Sequence, residues 1–454
     1  MPRRSTPVGN RLAWLDALRA VAALLVLADH VSWHLLSEWR VQVYQWFIPG
    51  YAGVLLFFLV SGYIIPASLE RRGSLRDFWI GRGFRLYPLF LVAVGATVAL
   101  YLAGWHEYAP FITDHKAATV LAQGSMLTAL LGIPDPLAVT WTLSFEMAFY
   151  LLVSGVYAVR RQRASPLIAL GLAGVALAIG LLPKLWLVGV APHAEPGVAG
   201  LAAVVFAAAI GAMLTGRRPL VLTGALVGAA LAALLLVSNQ APAHLDDGLV
   251  LPAVMFTGTT IYRAEKGEIH WMWAVVTPLA VAVALVVQRL RLMAGTPSFA
   301  EAVHEDIVTA ATVAAIFAAG FFLRHHRIPR VLAWLGMISY SIYLLHTPVL
   351  ELLWPVLGGQ DQPSTAPGAV RAVLFLATFA LVIAVSAVSY RFVEAPGQRA
   401  GRLVVGWLDR RASARPVPQR RAAVENRWPV SLTARTATPE SAQKSTIDSP
   451  AGSR

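Results

Sequence analysis

The chain contains no cysteine, which removes disulfide staples, thiolate nucleophiles and cysteine-held metal centres from consideration. Charge is scarce as well. Asp, Glu, Lys and Arg make up 13% of the 454 residues while 57% are hydrophobic, and the mean hydropathy is +0.62. A soluble globular domain carries roughly 25% charged residues, so this composition excludes one. The charge that exists is lopsided, with a net +13 and arginine heavily outnumbering lysine. Most arginines gather at the ends of apolar runs and in the C-terminal stretch. The excess of cations in cytoplasmic loops explains that distribution without a nucleic-acid partner.

What the chain has in quantity is long apolar runs. They lie near 13–36, 51–69, 84–104, 138–159, 165–183, 198–215, 219–237, 248–263, 271–288, 308–323, 331–354 and 368–393. The expected fold class is therefore all-α, a polytopic transmembrane helical bundle of about 10–12 spans in a bacterial cytoplasmic (inner) membrane. If the N-terminus is cytoplasmic, the inner segments receive Arg71, Arg72, Arg76, Arg82, Arg85, Arg160, Arg161, Arg163, Arg217, Arg218 and Arg324, whereas the outer loops hold few cations. Both termini are accordingly expected inside. The pattern is weakest over 238–306, where one run is short and Arg289 and Arg291 break the asymmetry. Three parts follow: a cytoplasmic segment 1–12, a membrane domain 13–395, and a disordered basic cytoplasmic tail 396–454, polar and rich in Arg, Ser, Ala, Thr and Pro. The basic start precedes an apolar run too long for a signal-peptide core, so that run is read as a retained first span. Between Trp105 and Leu137 the piece VLAQGSMLTALLGI is too short to span. It fits a re-entrant helix over a cavity or a plain surface helix.

The first span, WLDALRAVAALLVLADHVSWHLL, carries Asp16, Arg19, Asp29, His30 and His34. A pure anchor would avoid them, because an ionisable group near the bilayer centre costs ~3 kcal/mol. Arg19 and His30 are eleven residues apart, which on a helix returns to within ~20° of one face and separates them by ~16 Å along the axis. One stripe thus holds a guanidinium near one membrane surface and an imidazole deep inside. Asp29 points ~100° away from His30, so any coupling is indirect. His34 shares the His30 face at i+4, which raises a metal reading, but no third ligand is in evidence.

Further along, GVLLFFLVSGYII places Gly53, Phe57, Phe58, Ser61 and Gly62 in the second run, where small residues most simply serve close helix packing. DFWIGRGFRLYPLF sets Arg82 and Arg85 at i, i+3 on one helical face. Such a pair serves either as a membrane-edge anchor or as a fork for phosphate oxygens. TWTLSFEMAFYLL embeds Glu146 among apolar residues beside Trp141 and Tyr150, and an intramembrane carboxylate faces a cavity or partner by default. LGMISYSIYLLHTPVLELL carries Tyr340, Tyr343 and His346; taken alone, His346 reads as a hydrogen-bonded core histidine. In YRFVEAP the i, i+3 pair Arg391 and Glu394 is most simply a salt bridge.

Taken together and in order, Arg19 with His30, GxxxFFxxSG, Arg82-x-x-Arg85, WTLxxExxFY, ISYSxYLxH and YRFVExP resemble the membrane acyltransferase-3 family, integral-membrane O-acyltransferases that modify sugars and some small natural products. The resemblance covers residues 11 to 396. It implies transfer of an acyl group, acetyl first among them, from acyl-CoA to a hydroxyl of a sugar, envelope glycan or glycosylated metabolite, without a metal. It implies His30 and Glu146 as catalytic residues, Arg19, Arg82 and Arg85 as donor-binding residues, and Trp141 and His346 at the acceptor. Chemically, His30 suits the general base because desolvation disfavours its charged form. Direct transfer and a transient acyl-enzyme both remain open. The sequence departs from the family pattern at Leu55 and Leu56, where a polar residue is common, at Met147, where a second acid is common, and in having twelve apolar runs rather than ten. No attached esterase-like domain is present, so the resemblance is to stand-alone members. Buried Arg, His and Glu also build relays in proton-coupled transporters, the alternative from another class.

Overall fold

The computed structural model describes residues 13–105, 116–133, 135–179, 196–238, 248–296, 299–357 and 364–413. Among these no strand occurs, and sixteen α-helices follow in chain order: α1 Ala13–Leu35, α2 Ser37–Tyr44, α3 Pro49–Arg72, α4 Leu75–Leu102, α5 Lys116–Ser125, α6 Trp141–Ala158, α7 Ser165–Ile179, α8 Pro196–Leu214, α9 Arg218–Ser238, α10 Val250–Glu265, α11 Trp273–Met293, α12 Phe299–Phe322, α13 Arg330–Met337, α14 Ser339–Leu357, α15 Gly368–Ser389 and α16 Ala395–Ser413. Among the described residues eight helical stretches are long and apolar enough to cross a membrane, so the chain is an all-α polytopic membrane bundle. Over its described residues, every apolar run read from the sequence falls on helix. The run 331–354 is the one that breaks, at Ile338, into α13 and α14. Next to that break Gly336 lies on the α1 backbone, where a Cβ would come within 2.7 Å of Asp16 Cα.

Helix α1 is the centre of the bundle, packed by α3, α12, α13, α14 and α15. Its Ala20, Ala22, Ala23, Leu27 and Val31 are fully or almost fully buried. A helix packed by five others turns most of its surface to protein, so its polar side chains there meet protein and not lipid. Small residues set the closest approaches. A Cβ on Gly53 would lie 2.6 Å from the Ala22 carbonyl of α1, and one on Gly258 of α10 would lie 2.8 Å from the Tyr63 nitrogen of α3. The packing role expected of Gly53 and Gly62 is therefore what the helices use, with Thr259 Oγ1 donating to the Gly62 carbonyl at 2.8 Å.

Gly73 ends α3 in the left-handed region (φ 67°), and its N–H bonds the Leu69 carbonyl. Ser74 then caps α4, accepting from the Asp77 N–H at 3.3 Å. This two-residue turn holds the ends of α3 and α4 together. The stretch expected to be re-entrant or superficial folds inward. After α5 a 3-10 turn Ala129–Leu131 is buried, and Asp135 accepts hydrogen bonds from Gln123 Nε2 and from Thr128 Oγ1 at 2.6 Å. Burial pushes the Asp135 carboxyl up from its ordinary range. On the far side of α1, Asp29 is taken by Tyr44 and by Arg40 at 3.5 Å, which ties down α2 and leaves Asp29 engaged away from His30.

Two expectations change. The tail does not lose helical structure at 396, because α16 continues to Ser413; Gly397 and Gly401 allow it to lie on Phe84 of α4. Only its last residues, 408–413, belong to the separate C-terminal unit. The segments 1–12 and 414–454 lie outside the described residues. The second change concerns Arg391 and Glu394. Residues Tyr390–Glu394 form a π-turn, whose larger circumference turns positions i and i+3 away from the shared face that an α-helix would give them. Glu394 is buried and accepts from Ser341 Oγ at 2.9 Å and Gln398 Nε2 at 3.0 Å, while Arg391 lies near the Phe392 ring. In 238–306 the awkward arginines are satisfied by protein: Arg289 faces Asp306 at 3.5 Å, and Arg291 donates to the Leu177 carbonyl.

Candidate active site

A cleft enclosing about 760 Å³, part of it open to solvent, lies among α1, α3, α4, α6 and α14. It gathers four of the seven residues expected at the site. Arg19 enters from α1, Arg82 and Arg85 from the first turns of α4, and Glu146 from α6, with Phe57, Phe58 and Ser61 of α3 and Tyr340 and Tyr343 of α14 completing the wall. The i, i+3 spacing of Arg82 and Arg85 delivers both to the same space, as one helical face requires.

The cations are held by different means. Arg82 sits over the Tyr150 and Phe78 rings, 5.1 and 5.4 Å from their centroids, and its Nη1 donates to Tyr150 Oη at 3.5 Å. Tyr150 in turn donates to Glu146. Arg85 feels Glu394 and Glu146, and Arg19 lies 3.9 Å from Asp16. Three guanidiniums therefore face a cleft to which Glu146 is the acidic lining residue. That imbalance suits an anionic ligand with several oxygens, since guanidinium forks bind phosphate in pairs of charge-assisted hydrogen bonds.

The two histidines sit apart from this cleft and next to each other. Their ring centroids are 4.8 Å apart. His30 Nδ1 donates to the Val26 carbonyl at 2.9 Å and His346 Nδ1 to the Ile342 carbonyl at 3.1 Å, each closing a bond to residue i−4 of its own helix. A carbonyl only accepts, so both rings carry their proton on Nδ1 and leave Nε2 as the basic nitrogen. His346 is fully buried and its Nε2 has no partner among the described residues; His30 is half-buried.

Tyr343 links the two regions. It lines the cleft, packs edge-on to Phe57 at 5.7 Å, and stands 6.0 Å from the His346 ring. Its hydroxyl donates to the Val139 carbonyl and meets Thr142 Oγ1, both at 2.9 Å. Phe57 and Tyr343 thus stand at the boundary between cleft and histidine pair. Trp141 does not line the cleft; its ring edge packs on Phe145 at 6.0 Å, beside the Thr142 that does. Among the described residues no group of three or more His, Asp or Glu is arranged to hold a metal. Sequence reasoning gave no site role to Tyr343, Thr142 or Glu394, although all three stood in motifs already singled out.

A model of the acyltransferase-3 family, described as an acyltransferase domain, matches residues 12–241 and 198–391. Among curated relatives, the peptidoglycan O-acetyltransferase OatA of Listeria monocytogenes is 25% identical over 409 residues, 85% of this chain and 56% of the relative. The putative peptidoglycan O-acetyltransferase YrhL of Bacillus subtilis is 26% identical over 368 residues, 75% of this chain and 49% of the relative. The acyltransferase MdmB of Streptomyces mycarofaciens is 32% identical over 149 residues, 31% of this chain and 38% of the relative. The chain spans about half the length of the first two. No solved structure matches. With its motifs in family order and the family model matched along most of its length, the chain belongs to the acyltransferase-3 family.

Proposed function

We propose that this protein is an O-acyltransferase of the bacterial cytoplasmic membrane, with both termini inside, that moves an acetyl group from acetyl-CoA to a hydroxyl of a glycan or glycosylated small molecule. The observation that carries this reading is the convergence of Arg19, Arg82 and Arg85 on one cleft whose inner wall, Phe57 and Tyr343, abuts the imidazole pair, with His346 Nε2 lacking a hydrogen-bond partner among the described residues. The naming of two relatives as peptidoglycan O-acetyltransferases points to a glycan acceptor.

In this mechanism the donor enters from the cytoplasm with its thioester leading and its phosphates held by Arg82 and Arg85. The acceptor reaches His30 from the opposite side, next to Trp141 and His346. His30 Nε2 takes the hydroxyl proton as the oxygen attacks the thioester carbonyl carbon; the new C–O bond forms, the C–S bond breaks, and the thiolate of CoA leaves and regains a proton. The Nδ1–H bond to Val26 fixes the tautomer this step needs. Glu146, through Tyr150, holds Arg82 in place. Phe57 and Tyr343 keep water from the thioester until the acceptor is present.

The test uses membranes supplied with acetyl-labelled acetyl-CoA and their own acceptor. His30→Ala is expected to abolish labelled product while the protein remains folded, and Arg85→Ala to raise the donor KM more than it lowers kcat. Normal turnover by a well-folded His30→Ala protein refutes the base, and movement of a substrate without CoA release would make the protein a carrier instead.

A further inference from the structure

Beside the cleft, at the end of the bundle where α3 turns into α4, two further arginines join Arg82. Arg72 closes α3, Arg82 lies on the second turn of α4, and Arg402 projects from α16. The guanidinium of Arg72 is within electrostatic range of Arg82, Arg402 and Arg71, all like-charged, and of the Asp77 carboxylate. That carboxylate already holds Arg76 Nε at 2.8 Å. Like charges brought together from three helices repel, and an anion is what relieves them.

The backbone is arranged to keep them there. Arg72 Nη1 donates to the Asp77 carbonyl at 2.8 Å, and its guanidinium lies against Gly81, where a Cβ would come 2.5 Å from Nη1 and 2.8 Å from Cζ. Gly397 and Gly401 let α16 approach Phe84 and Pro88 closely enough to bring Arg402 to the same end. Arg72 and Arg402 are exposed and outside the cleft, whereas Arg82 is half-buried and lines it. The arginines thus form a series from the interior outward: Arg85, then Arg82, then Arg72 with Arg402.

We propose that Arg72 and Arg402 bind the outermost phosphate of the donor, the ribose 3′-phosphate of CoA, and so select CoA thioesters over those borne on a bare phosphopantetheine arm. The proposal rests on the reading of the cleft as the donor site. A donor that enters with its thioester leading leaves its pyrophosphate at the mouth and its ribose phosphate farthest out, which is the order in which the arginines stand. Two guanidiniums on one dianionic phosphate make charge-assisted, forked hydrogen bonds.

The test is equilibrium binding of radiolabelled acetyl-CoA to the full-length protein in nanodiscs of zwitterionic lipid, competed with CoA, 3′-dephospho-CoA and 4′-phosphopantetheine. The wild type is expected to prefer CoA to dephospho-CoA by about tenfold or more, as charged hydrogen bonds of this kind imply. Arg72→Gln and Arg402→Gln should each pull that ratio toward unity and leave affinity for phosphopantetheine unchanged. Gly81→Ala, which displaces the Arg72 guanidinium without removing its charge, should lower the ratio too. A ratio unchanged in the Arg72 and Arg402 variants overturns the proposal and leaves the donor site standing. An equal loss for all three competitors, or an effect confined to nanodiscs containing anionic lipid, also overturns it, the latter by assigning the arginines to lipid headgroups. No binding of acetyl-CoA by the wild type would instead overturn the donor reading itself.

Discussion

Replacing Gly53 with alanine tests whether the contact between α1 and α3 sets the geometry of the site. These helices carry His30 and Arg19 on one side, Phe57 and Ser61 on the other. A Cβ at position 53 would lie 2.6 Å from the Ala22 carbonyl oxygen and 2.8 Å from Val26 Cγ2. Ordinary contact begins near 3.4 Å, so the helices must part by roughly 0.8 Å, and the nearer atom is backbone that has no rotamer to change. Overpacking of this kind costs ~1–3 kcal/mol, and a backbone obstacle places it in the upper half of that range. Alanine also gains ~1 kcal/mol over glycine in a helix interior, which leaves a net loss of ~1–2 kcal/mol. Gly95→Ala in α4 is the matched control, since its Cβ would meet nothing within 4 Å. It receives the same helical gain with no clash and should be neutral or slightly stabilised. The assay is thermal unfolding in detergent followed by size-exclusion fluorescence, with acyl transfer measured on the same membranes. Gly53→Ala should melt several degrees below Gly95→Ala and lose activity out of proportion to its loss of stability. Equal melting of the two variants would refute the packing argument.

The buried Asp135 gives a pH signature. Burial raises its carboxyl above the ordinary value, so between that value and its folded one the native state binds more protons than the unfolded state, and stability falls as pH rises through this window. The wild-type melting temperature should therefore rise relative to Asp135→Asn as the pH is lowered from neutral toward 4; a constant difference would show that the site does not titrate as argued. Phe57→Ala should widen the cleft toward the histidine pair and improve use of propionyl- and butyryl-CoA relative to acetyl-CoA, read as kcat/KM ratios on membranes. An unchanged ratio would mean that this ring does not limit the acyl group.

Much of the fold was legible because a membrane helix announces itself by length and hydropathy alone, and each run has enough residues to leave little doubt of its state. The delivery of Arg82 and Arg85 to one space followed from helical periodicity. What periodicity does not carry is the relation between helices. His346 stood in a recognised motif, yet its place against His30 depends on how α14 crosses α1. An α-helical period pairs Glu394 with Arg391, but the chain makes a π-turn there, and that turn delivers the carboxylate to Ser341 and toward Arg85. The helical continuation to Ser413 was hidden by a composition rich in Arg and Gly, whose glycines serve the contact with Phe84.

If one imidazole is served from two compartments, the reaction is sided, and sidedness is measured most directly in sealed vesicles. Sealed inverted and right-side-out membrane vesicles, each given labelled acetyl-CoA from the bulk solution only, report which face admits the donor. Label should appear in glycan in inverted vesicles, with the acetylated acceptor enclosed in the lumen, and should be absent in sealed right-side-out vesicles until they are permeabilised. Equal labelling of both preparations while they remain sealed would contradict the account.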